Sequence, residues 1–481
     1  MINFCLKSFF ITRIIYISFI LIIYNFSIVE KYDLSTDIIS ERDENMRLLE
    51  KILLKFLSYF SSYDAIHFLT ISKYSYINDS IYAFFPLFPS LISGLKSFIS
   101  PFFKFTKNEM TVYLISGFVF SNVFCLINSI LLFCIIFNLT NSVLKSKISV
   151  ILFLINPGTI FYISIYSENI CLTLQLLFIQ ILLTSNNETT NFIQIACLII
   201  GLLMTRSNSI IFCSFFIIPC LCELLGKIKL NEKFSDNDFL FNIKSFFKLF
   251  QKNFRFIGLY IILCFHAYLC FIGMTKYKPK TEICFYIRRK INENLTKYNL
   301  FNLFCQNSKF NTINNFYSYL QDEYWKVGFL KQYSFNTLDR LILALPMNIC
   351  VFYIIYKCFI YFDFYALITK FNIPQFLLKN KPYHKHDKEG NHNEIENLRL
   401  NSFILSSLVN LIVLVFVLVF IAHPQINNRL ISGCPIIYLI LSEDIIYFIK
   451  DKSIKGFLII LFFVTFSLLS CLMQVGCYGF A

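Results

Sequence analysis

The sequence predicts an all-α polytopic membrane protein with about 11 transmembrane helices. Hydrophobic residues make up 57% of the 481 residues, and charged residues make up only 15%. Ordinary globular chains have about 45–50% apolar and about 25% charged residues. The apolar residues are also gathered in long runs, many near the length of about 20 residues that crosses a bilayer. This composition excludes a soluble enzyme, a disordered protein, a collagen-like fibre and a small disulfide scaffold.

The net charge of +14 predicts basic loops against the anionic face of a membrane, and no nucleic-acid partner is expected. Most of the 17 cysteines stand alone in apolar runs, where thiols pack as small hydrophobic groups. No pair of cysteines has zinc-like spacing, so no metal site is predicted. Cys284 and Cys305 lie in a polar loop, and we expect them to be able to pair if that loop faces an oxidising compartment.

The spanning segments follow from the runs in chain order. The clearest charge-free runs are residues 14–29, 111–139, 256–275, 400–428 and 456–481. A shorter run covers residues 341–356, and residues 430–449 form a further candidate that carries Glu443 and Asp444. Between residues 148 and 222 only Glu168, Glu188 and Arg206 are charged, which predicts about four short helices that turn at those residues.

The sidedness follows from the basic loops. Lys7 and Arg13 form a basic flank before the first run, and the absence of a small-residue cleavage site favours an uncleaved anchor over a signal peptide. With the N-terminus in the cytosol, a charged cytosolic loop covers residues 363–399, as the positive-inside rule requires. Its histidines could hold a metal, but a polar low-complexity insertion is favoured. Residues 1–481 then form a single polytopic domain, with long loops at 30–108 and 276–339 on the opposite side.

The first long loop contains an acid in an aromatic setting. Asp64 and His67 share a face if this part is helical. Pro86 and Pro89 exclude a regular helix through their segment, which therefore predicts an irregular or re-entrant piece of chain. A carboxylate at a membrane surface suits the deprotonation of a hydroxyl presented near a lipid. A helix cap beside an interfacial aromatic belt explains the same residues equally well.

Four further polar groups fall on the same side of the membrane. Ionisable residues at membrane depth are costly and often functional, although each one alone is more typical of a helix end that snorkels to water. Together they supply what a site for a lipid phosphate and a sugar needs: a base, cations and an aromatic ring. The residues concerned are Glu168, Arg206, Asn208, Gln321, the single tryptophan Trp325, His423 and Arg429.

A family resemblance begins in the first long loop, at Asp64-Ala65-Ile66-His67-Phe68-Leu69 and Ala83-Phe84-Phe85-Pro86-Leu87-Phe88-Pro89. These blocks resemble the first luminal loop of the GPI mannosyltransferase 2 family, which usually has Trp at the position of Tyr63. The chain departs from the family again at Lys326, where Asn is usual, and at Pro424, where Val is usual. The resemblance continues in family order through Asn156-Pro157, Tyr166-Ser167-Glu168, Thr205-Arg206-Ser207-Asn208, residues 317–330, His423-Pro424-Gln425 and Arg429.

The resemblance implies a GT-C-type glycosyltransferase in the endoplasmic reticulum membrane, with its active site facing the lumen. It implies transfer of the second mannose, in α1,6 linkage, from dolichyl-phosphate mannose to the mono-mannosylated glucosaminyl-phosphatidylinositol lipid. No cofactor is expected beyond this lipid-linked donor. Asp64 is the implied catalytic base. The residues implied to bind donor or acceptor are His67, Glu168, Arg206, Asn208, Gln321, Trp325, His423 and Arg429.

Two alternatives stay open at this point. One is another transferase of the same type that uses dolichyl-phosphate mannose on a different acceptor. The other is a non-catalytic transporter or scaffold, although a transporter should show an inverted repeat and the sequence shows none that we can recognise. The sequence also leaves open whether a small accessory membrane subunit is needed and whether the acceptor's inositol is acylated.

Overall fold

The computed structural model describes residues 1–26, 47–76, 80–103, 106–184, 188–215, 327–331, 333, 338–361, 390–422 and 426–475. All regular secondary structure in this part of the chain is helical, which confirms the predicted all-α class. The described α-helices are α1 Ile2–Phe26, α2 Leu48–Ser58, α3 Asp64–Tyr74, α4 Leu87–Ile99, α5 Glu109–Thr140, α6 Val143–Leu154, α7 Thr159–Ile163, α8 Glu168–Thr184, α9 Glu188–Leu203, α10 Leu338–Tyr361, α11 Gly390–Phe420, α12 Asn427–Ile431, α13 Pro435–Asp451 and α14 Ile454–Val475.

The helices confirm a polytopic membrane protein. Within the described residues, α8 and the segment Leu87–Phe103 are apolar but shorter than a full span. The total of about 11 helices stays a prediction, because the apolar run at 256–275 lies outside the described residues. The described segments that are long and apolar enough to cross a bilayer are Ile2–Asn25, Glu109–Thr140, Arg340–Ile360, Phe403–Phe420 and Ile454–Gln474.

The first helix begins earlier than the sequence predicted. Because α1 starts at Ile2, both Lys7 and Arg13 lie inside it and do not form a flank. The Arg13 side chain is buried, and its Nη2 donates to the Tyr162 carbonyl oxygen at 3.1 Å and to Cys125 Sγ at 2.6 Å. These polar partners inside the bundle let the helix include a charged residue that hydrophobicity alone would exclude.

Two other boundaries also differ from the predictions. Regular helix begins at Leu87, so Pro89 lies in the first turn of α4, where no backbone N–H is needed from it. The irregular segment therefore ends at Pro86. The run predicted at 400–428 is divided, since α11 ends at Phe420 and α12 is a separate short helix.

A buried carboxylate fixes the first loop on the membrane helices. Glu50 of α2 accepts hydrogen bonds from the backbone N–H groups of Lys107 and Asn108, at 3.0 and 2.8 Å, just before α5 begins. Asn108 is itself the N-cap of α5, and its side-chain oxygen accepts from Met110 N at 2.8 Å. Acids and caps at a helix N-terminus satisfy donors that have no partner within the helix. The loop that carries Asp64 is therefore anchored at the end of the longest described helix.

A compact apolar cluster then holds this loop against the start of α8. It includes Phe60, Phe68 and Phe88 from the loop, together with Ile165 and Tyr166 from the segment before α8. Burying a side chain of this size stabilises the packed arrangement by about 1.5–3 kcal/mol. The polar ends of these segments meet at the edge of this cluster, where the candidate site lies.

Candidate active site

Four charged side chains from four separate segments of the chain form one ion-paired group, which we call the four-charge cluster. Glu168 Oε1 accepts hydrogen bonds from Arg206 Nη1 and from Arg429 Nε. Arg429 Nη1 donates to Asp64 Oδ2. The cluster contains two carboxylates and two guanidinium groups, so its formal net charge is zero. The sequence predicted these residues on one side of the membrane, and the structure brings them into direct contact.

The four-charge cluster is buried to different degrees. The side chains of Arg429 and Glu168 are 5% and 4% exposed, whereas those of Arg206 and Asp64 are 16% and 20% exposed. The Arg429 guanidinium carbon also lies 4.8 Å from the ring centre of Tyr166 and 5.3 Å from that of Phe161. Cation–π contacts of this kind add to ion pairs where water is excluded. Arg429 is therefore held by two carboxylates and two rings.

Backbone contacts set the position of Asp64 relative to Glu168. The Ile165 N–H donates to the Phe60 carbonyl oxygen at 3.0 Å, and the Tyr166 hydroxyl donates to the Ser62 carbonyl oxygen at 3.0 Å. Tyr63, between Ser62 and Asp64, has φ 56° and ψ −121°, a conformation that costs a non-glycine residue about 1–3 kcal/mol. This turn starts α3 at Asp64. Strain of this kind next to a charged residue is typical of functional sites.

A glycine lets the helix that carries Arg429 approach. A Cβ on Gly158 would lie 2.8 Å from the carbonyl oxygen of Asn428 and 3.1 Å from the hydroxyl of Ser432. The Gly158 N–H is held in place because it donates to Asn156 Oδ1 at 2.7 Å. The Asn156-Pro157 pair that carries part of the family resemblance therefore stands directly before the residue on which α12 packs.

Electrostatics keep Asp64 ionised. Burial acts to raise the pKa of Asp64, but the charge of Arg429 and its hydrogen bond outweigh burial, so the pKa lies below its usual value. Burial lowers the pKa of His67, and the nearby Asp64 carboxylate opposes this shift only in part. The His67 ring stacks on Phe84, with ring centres 4.7 Å apart. At neutral pH the site therefore presents a carboxylate beside a neutral imidazole.

A cavity opens beside the four-charge cluster. Its volume of about 50 Å³ has room for about four water molecules. Asp64 contacts Arg429 but is not part of the cavity lining. The charged and amide side chains that line the cavity belong to Glu168, Gln175, Arg206, Asn208, Asn410 and Arg429.

The predicted site residues divide into two groups. The structure joins Asp64, Glu168, Arg206 and Arg429 directly, and it adds Asn208, whose Oδ1 accepts from Arg206 Nε at 3.1 Å. His67 lies one helical turn after Asp64 on α3. The residues whose predictions fall outside the described part of the chain are Gln321, Trp325, His423, Cys284 and Cys305. Within the described ranges, no group of three or more His, Cys, Asp and Glu side chains could hold a metal ion.

Sequence reasoning missed two of the three amides that line the cavity, Gln175 and Asn410. Both are amides inside apolar helices, α8 and α11. A polar side chain within an otherwise apolar run usually faces the interior of a helix bundle, and this signal would have identified both residues as candidates.

Comparison with known proteins gives one family. The sequence profile of a family described as Mannosyltransferase (PIG-V) matches residues 3–480. GPI mannosyltransferase 2 of Drosophila melanogaster is 24% identical over 316 residues, which cover 63% of this chain and 65% of the fly protein. GPI mannosyltransferase 2 of Drosophila pseudoobscura pseudoobscura is 22% identical over 62% of this chain and 63% of its own length.

A third relative matches a shorter stretch. GPI mannosyltransferase pigv-1 of Caenorhabditis elegans is 32% identical over 119 residues, which cover 24% of this chain and 18% of the worm protein. The aligned regions thus span less than two thirds of the length of each of these relatives.

Proposed function

The chain belongs to the Mannosyltransferase (PIG-V) family, and on this premise we propose that it adds the second mannose to the glycosylphosphatidylinositol precursor. The proposed donor is dolichyl-phosphate mannose, and the proposed acceptor is the mono-mannosylated glucosaminyl-phosphatidylinositol lipid, extended through an α1,6 linkage. We propose that the site faces the lumen of the endoplasmic reticulum. The names of the fly relatives support the GPI role, and the four-charge cluster is the observation that carries the chemistry.

The proposed reaction is a single in-line displacement. The acceptor hydroxyl oxygen forms a bond to the anomeric carbon of the mannosyl group, and the bond from that carbon to the phosphate oxygen breaks. The bonding electrons leave with the phosphate, and the acceptor proton moves to the Asp64 carboxylate. A β-linked donor then gives an α-linked product. Asp64 suits the role of base because it is ionised and one-fifth exposed, and because the contacts of Phe60 and Ser62 hold the chain just before it.

The charge of the four-charge cluster changes in step with this reaction. Before transfer the cluster is neutral and the donor phosphate, a diester, has one negative charge. When Asp64 takes the proton, the cluster gains one positive charge, and the departing phosphate gains one negative charge at the same moment. Arg429 and Arg206 both line the cavity, so the new positive charge lies where the phosphate is expected to bind.

Rescue of cells that lack the second GPI mannosyltransferase tests the proposal. The wild-type chain should restore GPI-anchored proteins to the cell surface, whereas Asp64→Asn should fail to do so at equal abundance. Loss of a positioned base lowers rates by about 10²–10⁴-fold. The matched control is Glu109→Gln, which removes a half-exposed carboxylate paired with Lys96 and should rescue like the wild type.

The accumulated lipid identifies the acceptor. Cells that carry Asp64→Asn should accumulate the precursor with one mannose, and the wild-type chain should remove it. Full rescue by Asp64→Asn would refute the role of the carboxylate as base. Accumulation of a precursor with no mannose or with two mannoses would instead indicate a transferase that acts at another step.

A further inference from the structure

We infer that the cavity beside the four-charge cluster receives the hydroxyl edge of the donor's sugar ring, and that Gln175 and Asn410 bind its hydroxyl groups. We call this space the amide cavity. The inference rests on the proposed function and deepens it, because it assigns the two ends of a sugar phosphate to different residues. The phosphate belongs at the arginines, and the ring belongs among the amides.

The two amides lie in apolar helices, where burial of a polar group costs free energy. Asn410 lies within the candidate span Phe403–Phe420, and Gln175 lies in the apolar helix α8, seven residues or about 10 Å along the axis from Glu168. Both amides are half-buried, and a fully buried amide without a good hydrogen bond costs about 1–3 kcal/mol. Amides at this depth, both on the wall of one cavity, therefore favour a ligand over a purely structural role.

The present contacts of these amides leave hydrogen-bonding capacity for a ligand. Gln175 Nε2 donates to Cys171 Sγ at 3.6 Å, and Asn410 Oδ1 accepts from the Cys434 thiol at 4.0 Å. Among the described residues, the Asn410 Nδ2 bond to the Ile211 carbonyl oxygen, at 3.1 Å, is the one that joins two strong partners. An amide offers two donors and an acceptor with two lone pairs. Thiols are weak partners, so hydroxyl groups of a ligand would improve these hydrogen bonds.

The second carboxylate oxygen of Glu168 gives an independent reason to expect a ligand in the amide cavity. Its Oε1 accepts from both arginines, but its Oε2 is buried and has no hydrogen-bond partner among the described residues. A buried carboxylate oxygen needs a donor. The oxygen therefore favours a ligand with hydroxyl donors.

The size and the mixed polar and apolar wall of the amide cavity agree with one edge of a sugar ring. About 50 Å³, with room for about four water molecules, admits the hydroxyl edge of a sugar ring and excludes a polyprenyl chain. Phe212 also lines the cavity, and an aromatic ring can pack against the C–H face of a sugar while amides bind the hydroxyl edge. The arginines at the same wall then meet the phosphate on which the ring is carried.

Binding of two soluble donor analogues to the purified full-length chain tests the inference. One analogue is a short-chain prenyl phosphate that carries mannose, and the other is the same prenyl phosphate without sugar. The ratio of their Kd values measures how much the sugar contributes to affinity. Gln175→Leu and Asn410→Leu should each reduce this ratio by about three- to tenfold, the effect of one hydrogen bond, and should leave the Kd of the bare phosphate unchanged.

The matched control is Gln180→Leu. Gln180 lies on the same helix α8 but does not line the amide cavity, so its substitution should change neither Kd value. An unchanged ratio in both cavity variants, or an equal loss for both analogues, would overturn the inference. A wild-type chain that binds the two analogues equally would do the same.

The outcomes separate the inference from the proposed function. A wild-type chain that shows the sugar-dependent ratio, loses it in Gln175→Leu, and yet transfers no mannose would contradict the proposed function and support the sugar pocket. A wild-type chain that transfers mannose while Gln175→Leu and Asn410→Leu keep the full ratio would contradict the sugar pocket alone.

Discussion

Substitution of Arg429 should change both the stability and the activity of the protein, so that one variant tests both. Arg429→Met removes the shared partner of two carboxylates, and it leaves Asp64 without the guanidinium that it contacts. Breaking a buried ion pair by removing one partner costs about 3–5 kcal/mol. Since Arg429 is only 5% exposed, we expect the substitution to lower the free energy of unfolding by an amount within this range.

A second substitution converts this loss into a test of charge pairing. The net charge of the four-charge cluster is zero in the wild type, −1 in Arg429→Met and +1 in Asp64→Asn, and it returns to zero when both changes are combined. The combined variant should therefore be more stable than the sum of the single effects predicts, by about 1–3 kcal/mol. Asp64 is one-fifth exposed, so the lower half of this range is expected.

Reversible unfolding in mixed detergent micelles measures the four free energies, and mannosyl transfer is measured on the same preparations. The combined variant should recover stability but not transfer, because the base is absent. Effects that add within about 0.5 kcal/mol would refute the pairing of these charges, and recovery of transfer would refute Asp64 as the base.

The remaining predictions concern pH and packing. Arg429→Lys weakens the contact that lowers the pKa of Asp64, so the acid limb of kcat/KM should move to higher pH; an unmoved limb would contradict this. Because that pKa is depressed, the stability from this pair is present above the unfolded-state pKa and lost as pH falls through the folded-state pKa. Gly158→Ala should displace α12 and lower transfer by about 10²-fold at normal abundance, whereas Gly94→Ala, with open space around its Cβ, should have no effect.

The apolar pattern was enough to predict the membrane class and most of the described spans, because a bilayer imposes the same length on every span. It was not enough for helix ends that depend on particular partners. Arg13 is included in α1 because Tyr162 and Cys125 meet its side chain, and neither contact can be read from hydrophobicity. The run predicted at 400–428 likewise divides into α11 and α12, and α12 packs closely against Gly158.

The candidate site was predictable as a set of residues but not as a set of pairs. Alternation of the helices put Asp64, Glu168, Arg206 and Arg429 on one side, where the structure joins them. The sequence could not show that Glu168 takes both arginines, since these contacts span 38 and 261 residues. Gln175 and Asn410 were missed for a related reason. Their positions in apolar helices mark each of them as a candidate, but whether both line one cavity depends on how the helices pack.

The resting neutrality of the four-charge cluster has a physical consequence for the proposed reaction. A free cation at this depth would bind the donor phosphate strongly in the ground state, and such uniform binding does not speed the chemical step. A neutral cluster binds the singly charged diester weakly and becomes positive only when Asp64 receives the acceptor proton. The attraction then grows with the negative charge on the leaving phosphate, which is the requirement for stabilising a transition state. On this view the carboxylates paired with Arg429 and Arg206 belong to the chemistry as much as the arginines do.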